Sequence, residues 1–195
     1  MRSRVDTALG PRRSVAVRFV FLDRDGTLVH DPGYVHRLDD YALLPGAVEA
    51  LVLLRDAGFR LAVVTNQSGI GKGLYSIEEF WRFQDHLIAD LAGAGVRIEA
   101  TYVCPHLPSA GCACRKPSPA ALRQARDTLG ADLARSWVVG DHASDVELGV
   151  RAGARSVLVL TGHGVEERAK LPAGAAHPVV ADVLAAARYI VGQGG

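Results

Sequence analysis

The sequence predicts an α/β fold in which a parallel sheet carries helices on both faces. Three observations lead there. Short apolar, β-rich runs recur at 17–22, 61–65, 98–103, 137–139 and 157–160. They lack the polar–apolar alternation of a half-exposed strand, so each reads as a strand buried on both sides. The segments between them carry helical patterns with start and stop residues. Alternating strands and helices pack as parallel units, and ligands of such sheets gather beyond the carboxyl ends of the strands.

Residues 1–14 hold Arg2, Arg4, Gly10, Pro11, Arg12 and Arg13 without periodicity, and read as a flexible tail before a single domain over 15–195. The run 17–22 opens that domain. Ala47 to Ala57 puts Val48, Leu51 and Leu54 on one face and stops at Gly58. After the run 61–65, Ser76-Ile-Glu-Glu79 fits a capping box and starts a helix reaching about Leu91. After 98–103, Ser118 followed by Pro119 reads as an N-cap with a first-turn proline, and that helix closes near Gly130. Beyond 137–139, Ser144 with Glu147 reads as a second capping box, closed by Gly153.

Composition narrows the function classes. The 195 residues are 49% hydrophobic and 22% charged, as in a soluble globular protein, which excludes disorder, collagen and coiled coil as the main state. The net charge of +1 predicts no bulk attraction to nucleic acid or to an anionic membrane. No apolar run approaches the roughly 20 residues of a membrane span. The N-terminus lacks the apolar segment of a signal peptide, so a cytoplasmic location is expected.

Polar clusters stand at the strand ends. The first strand runs into Asp23-Arg24-Asp25-Gly26-Thr27. Asp-Gly is a common turn pair; the functional alternative is a carboxylate nucleophile, Asp23, with Asp25 beside it as general acid and base. The second strand ends in Thr65-Asn66-Gln67-Ser68, which offers donors to an anion or a turn segment. The following Gly69-Ile70-Gly71-Lys72-Gly73 fails the Walker pattern in spacing and in the residue after lysine. Asn66-Gln67-Ser68 also fits a glycosylation sequon, but nothing in the sequence indicates secretion. The strand near Val139 runs into Gly140-Asp141-His142-Ala143-Ser144-Asp145. A parallel sheet brings such strand ends into one crevice.

The three cysteines, Cys104, Cys112 and Cys114, do not form a disulfide framework. With His106 they supply three thiolates and one imidazole from one short loop. That is a closed four-ligand set for structural zinc; the alternative is small buried hydrophobes, for which a loop rich in Pro, Ser and Gly is a poor place. The loop runs on into Arg115-Lys116-Pro117.

Taken together, Asp23-Arg24-Asp25-Gly26-Thr27, Thr65-Asn66, the basic Lys116 and Gly140-Asp141 with Asp145 resemble the four motifs of the haloacid dehalogenase superfamily of phosphatases. Phe21 to Thr27, Gly33-Tyr34-Val35-His36, Val64 to Ile70 and the Cys/His loop narrow the resemblance to the branch of heptose 1,7-bisphosphate and histidinol-phosphate phosphatases. It spans about 17–165. It implies a three-layer Rossmann-like fold with no large cap domain and a short zinc-binding loop. It also implies a Mg²⁺-dependent phosphatase removing the 7-phosphate of D-glycero-D-manno-heptose 1,7-bisphosphate through an aspartyl-phosphate.

The resemblance assigns roles to residues. Asp23 attacks phosphorus, and Asp25 protonates the leaving alkoxide and then activates water. Asp23, Asp141 and the backbone carbonyl of Asp25 hold Mg²⁺, which leaves the Asp25 side chain free. Asp145 orients the site. Thr65, Asn66 and Lys116 hold the phosphoryl oxygens; Asp31, Pro32, Gly33, Tyr34, Gln67 and Ser68 contact substrate; Arg115 recognises a second anionic group. His142 stands where many members of the branch have lysine, and helps neutralise phosphate only when protonated, with Lys72 or Lys116 as compensation. His36 lies in the substrate-loop segment. His30, His86, His163 and His177 read as solvated or packing residues.

The partner this implies is a small phosphorylated sugar, with no nucleic acid and no membrane, and the small fold permits a monomer. Histidinol phosphate is the rival substrate. A zinc-stabilised binding module without catalysis would be favoured had Asp23 or Asp141 been replaced. A nucleic-acid-end phosphatase is opposed by the balanced charge and the lack of an aromatic–basic stripe.

Overall fold

The computed structural model describes residues 2–5, 17–171 and 177–193. The strands are β1 (Arg2–Val5), β2 (Phe19–Leu22), β3 (Arg60–Asn66), β4 (Ile98–Cys104), β5 (Trp137–Gly140), β6 (Arg155–Val159) and β7 (Val179–Val180). They form one sheet in the order β1-β4-β3-β2-β5-β6-β7, parallel except for β1, which runs antiparallel on β4.

Each buried strand alternates its side chains between two cores. Val20, Leu22, Leu61, Val63, Trp137, Val139, Val157 and Val159 face one, against Leu51 and Leu54 of α1 (Ala47–Asp56), Phe83, Leu87 and Leu91 of α3 (Ile77–Gly93), and Ala186, Ala187 and Ile190 of α7 (Val183–Gly192). The short α2 (Ser68–Gly71) lies between β3 and α3. Phe19, Phe21, Ala62, Val64 and Val138 face the other core, against Leu122 and Ala125 of α4 (Ala120–Leu129) and Leu148 of α5 (Ala143–Ala152). Period-two geometry splits one continuous apolar run between two helical layers, which is the three-layer α/β fold expected from the sequence.

Most helix signals hold; α4 differs, beginning at Ala120 with Pro119, not Ser118, at its N-cap. Ser76 Oγ accepts from Glu79 N–H at 3.1 Å, and Ser76 N–H donates to the Glu79 carboxylate at 2.7 Å, closing the capping box. Gly130 and Gly153 end their helices in the left-handed region. The second expected capping box is corrected: α5 begins one residue after His142, whose N–H donates to Asp145 at 3.1 Å. Glu147 instead pairs with Arg151 at 2.8 Å, one helical turn on.

Two further differences concern strands. Residues 2–5, expected within a flexible tail, pair with β4 as an edge strand. A sheet edge offers unpaired backbone groups to any extended segment that reaches it, and that bonding needs no side-chain pattern. The rest of the expected tail, residues 1 and 6–14, lies outside the described residues. β7 has only two residues and left no readable run.

Candidate active site

The strand order reverses direction around β2, with β3 on one side and β5 on the other. The ends of these strands open a crevice there. Asp23 follows β2, Thr65 and Asn66 end β3, and Asp141 follows β5. A cleft of about 610 Å³ is lined by Asp23, Asp25, Asp31, Gly33, Tyr34, Thr65, Asn66, Gln67, Ser68, Arg115, Lys116 and His142, with Tyr75, Ser144, His163 and Glu167. Of the expected substrate contacts, Pro32 does not line it.

At the floor, Asp23 is 7% exposed and accepts the Arg24 backbone N–H on Oδ1 at 2.7 Å. The Lys116 ammonium sits 2.8 Å from Asp23, 2.7 Å from Asp145 and 3.0 Å from the Val64 carbonyl. Burial raises the Asp23 carboxyl to about 7; Lys116 opposes this, while Asp145 and Asp141 add repulsion. Burial likewise raises Asp145 against the pull of Lys116. Burial works against the Lys116 charge, but the two carboxylates outweigh it and raise its pKa.

Asp141 is fully buried. His163 N–H donates to its Oδ2 at 2.8 Å, and His142 Nδ1 lies 3.0 Å from its Oδ1. Burial opposes its charge, yet the His142 bond and charge hold it below the ordinary carboxylate range. The same pairing overcomes burial at His142 and raises that imidazole to about 9. Gly26 and Gly162, at φ of 74° and 55°, press on this carboxylate so closely that a Cβ at either would run into Asp141 Oδ2.

Asp23, Asp141, Asp145 and His142 bring ligand atoms within 4.8 Å of one another. Three buried carboxylates meet there, Asp23 and Asp145 on Lys116 and Asp141 on His142, and Asp23 is raised chiefly by burial, with repulsion from Asp145 and Asp141 added. A hard divalent cation with oxygen ligands fits this donor set.

The Asp25 side chain is firmly held by protein partners. Both oxygens are held by Arg24, from Nε at 2.5 Å and Nη2 at 2.9 Å, and Gln67 Nε2 donates at 2.7 Å. Tyr75 OH in turn donates to Gln67 Oε1 at 2.5 Å. The Asn66 amide grips the Lys116 peptide: Oδ1 accepts its N–H at 3.0 Å and Nδ2 donates to its carbonyl at 3.3 Å. Asn66 thus positions the lysine as well as lining the cleft.

The loop that delivers Lys116 is organised by the Cys/His cluster. The three sulfurs are 3.2–3.6 Å apart, and His106 Nδ1 lies 3.7 Å from Cys104 and 3.2 Å from Cys114. Ligands on a tetrahedron around zinc stand roughly 3.5–3.8 Å apart, given about 2.3 Å Zn–S and about 2.0–2.1 Å Zn–N bonds. The donor set and spacing fit such an ion. Burial pushes the Cys104 thiol up to about 12; at Cys112 burial is outweighed by bonds from Cys114 and Cys104, and the thiol drops to about 6. Arg115 donates to the His106 carbonyl at 3.2 Å, tying the cluster to the cleft wall.

At the mouth, Asp31 accepts the Gly33 N–H at 2.8 Å, and Tyr34 adopts φ 56°. Its hydroxyl meets the Lys72 ammonium, so Lys72 belongs to the rim. His36 stacks on Tyr75 with centroids 4.5 Å apart. His163, expected to be solvated or packing, is exposed and also lines the cleft: its ring meets His142 edge-on at 5.0 Å and lies 3.8 Å from Asp31. It follows β6, the one strand end where no polar cluster had been sought. Arg24 and Tyr75 were also missed; a charged residue inside a buried strand-end segment was the available signal for Arg24.

A family model described as haloacid dehalogenase-like hydrolase matches residues 31–149. The chain is 40% identical over 159 residues to the D-glycero-beta-D-manno-heptose-1,7-bisphosphate 7-phosphatase of Photorhabdus laumondii, covering 77% of this chain and 85% of the relative. It is 38% identical over 159 residues to the alpha-anomer enzyme of the same organism, covering 77% of this chain and 87% of the relative. The crystal structure of D,D-heptose 1,7-bisphosphate phosphatase from B. bronchiseptica, complexed with magnesium and phosphate, superposes with TM-score 0.84 at 32% identity, covering 91% of this chain and 99% of that one.

Proposed function

This chain belongs to the haloacid dehalogenase-like hydrolases and is a phosphatase, and from that premise we propose that it removes the 7-phosphate of D-glycero-D-manno-heptose 1,7-bisphosphate through an aspartyl-phosphate on Asp23. The observation that carries the reading is the meeting of Asp23, Asp25 and Lys116 in a cleft that Arg115 also lines, with the buried Asp141 carboxylate within 4.8 Å of Asp23.

Asp23 attacks phosphorus as the bond to the sugar oxygen breaks, and Asp25 passes a proton to that oxygen. Asp25 then takes a proton from the water that attacks the aspartyl-phosphate, releasing inorganic phosphate and restoring Asp23. Lys116 holds charge beside the nucleophile throughout. The carboxylates of Asp23 and Asp141 and the Asp25 main-chain carbonyl would hold Mg²⁺, which would supply the positive charge that lets a carboxylate approach a phosphate dianion. Cys104, His106, Cys112 and Cys114 would hold a Zn²⁺ ion, and a set of three thiolates and one imidazole would make its role structural. Arg115 suits the second phosphate, since its fork pairs two oxygens.

The test is phosphate release across both heptose bisphosphate anomers, histidinol phosphate, fructose 1,6-bisphosphate and a 3′-phosphorylated oligonucleotide. One heptose bisphosphate anomer has the highest kcat/KM and yields heptose 1-phosphate. A higher kcat/KM on histidinol phosphate overturns the substrate assignment.

A further inference from the structure

Arg24 is the largest fully buried side chain among the described residues, with 0% exposure. Its guanidinium lies 4.7 Å from the Phe83 ring centroid and 5.1 Å from that of Phe80. Two of its nitrogens fork onto the two oxygens of Asp25, and Nη2 also donates to the Val35 carbonyl at 2.9 Å. The remaining nitrogen, Nη1, is buried without a partner.

That is an expensive arrangement if stability were its only purpose. Burying an ion pair costs several kcal/mol of desolvation, and well-packed apolar residues of similar volume do as well or better. The orphaned Nη1 adds to the cost. What the fork supplies and an apolar side chain cannot is direction. A carboxylate gripped at both oxygens cannot rotate about its terminal torsion, and Gln67 adds a third restraint on Oδ2. Arg24 is wholly buried while the Asp25 side chain is 18% exposed, so Asp25 is gripped from the interior and meets the cleft on its open side. The Val35 bond ties the same guanidinium to the chain that follows Asp31, Gly33 and Tyr34 at the mouth.

We propose that Arg24 is a positioning residue for proton transfer: it holds the Asp25 carboxyl in line with the leaving oxygen of the substrate. This rests on the reading of Asp25 as the proton donor. A donor matters in proportion to how badly the leaving group needs its proton. An alkyl phosphate expels a strongly basic alkoxide, whereas p-nitrophenyl phosphate expels a phenolate that departs unprotonated. Both substrates otherwise use the same nucleophile and the same phosphoryl site, and kcat/KM reports the steps through the first bond cleavage.

The experiment compares kcat/KM for the best alkyl phosphate substrate and for p-nitrophenyl phosphate in wild type, Asp25→Asn, Arg24→Met and Arg24→Lys, each checked for folding by thermal melting. Asp25→Asn sets the scale, losing about 100-fold or more on the alkyl substrate and far less on the aryl one. Arg24→Met reproduces that selectivity, with about a 10- to 100-fold loss on the alkyl substrate and about threefold or less on the aryl one. Arg24→Lys keeps the charge without the fork, falls between, and carries the test if the Met variant does not fold. Equal losses on both substrates in the folded Arg24 variants, with Asp25→Asn selective, overturn the positioning role and leave the acid assignment intact. An Asp25→Asn variant without selectivity removes the acid assignment and the Arg24 role together.

Discussion

Replacing Lys116 by Met leaves Asp23 and Asp145 facing each other without their shared cation. The lysine side chain is 3% exposed, and its partners are 8% and 1% exposed at 2.8 and 2.7 Å. Breaking a buried pair by removing one member costs about 3–5 kcal/mol, because the charge left behind is uncompensated. Against a total stability of about 5–15 kcal/mol, that brings the variant near the edge of folding. The loss depends on pH. Asp23 has a folded pKa of about 7 against an ordinary value of 3.8. A carboxyl raised in this way destabilises the fold when ionised; the penalty is absent below the unfolded value and complete above the folded one. Without Lys116 the carboxyl rises further, so acid relieves the variant more than the wild type. Urea unfolding with a magnesium chelator therefore shows a deficit that is clearly larger at about pH 7.5 than at about pH 5 and still growing above pH 7.5. A deficit below about 1 kcal/mol, or one equal at both pH values, refutes the buried ion cluster as described.

Other outcomes follow from the same geometry. His142, raised from 6.5 to about 9, stabilises the magnesium-free protein fully below the lower value, and this is lost as pH rises through the higher one. His142→Gln therefore costs about 1 kcal/mol near pH 6.5, limited by screening of the part-exposed ring, and nothing near pH 10; equal costs at both ends contradict the pairing with Asp141. Gly162→Ala pushes a methyl into Asp141 and weakens magnesium activation roughly tenfold, read from the magnesium dependence of phosphate release; unchanged dependence contradicts the close approach. Protein purified without added metal carries about one zinc per chain, and removing it lowers thermal stability; no zinc in a fully active preparation with reduced thiols disposes of that site.

The layers and most of the site were legible because each depends on short-range pattern. Strands buried on both faces must be apolar throughout, as Val20 to Leu22 and Leu61 to Val64 are. Polar residues at their ends then stand out, as Asp23, Thr65 and Asp141 do. The Cys/His loop was legible because four soft ligands in one loop have few other uses. What stayed hidden depends on long-range contact. Tyr75 reaches the cleft from the approach to α3 and binds Gln67 there, and His163 reaches it only because β6 lies beside β5. The edge strand at 2–5 is held by backbone bonds that no side-chain pattern records. His142 as the start of α5 was masked by a Ser144–Glu147 spacing that fits a capping box equally well.

The most direct test of the account is to trap the phosphorylated enzyme. Wild-type protein turning over heptose bisphosphate is quenched in acid within one turnover, reduced with borohydride and digested. An aspartyl-phosphate on Asp23 is thereby converted to homoserine at that position, found by mass spectrometry, and Asp23→Asn yields neither the product nor turnover. Asp23→Asn retaining a rate within about tenfold of wild type, about 1.4 kcal/mol of barrier, or label on another residue, would contradict Asp23 as the nucleophile.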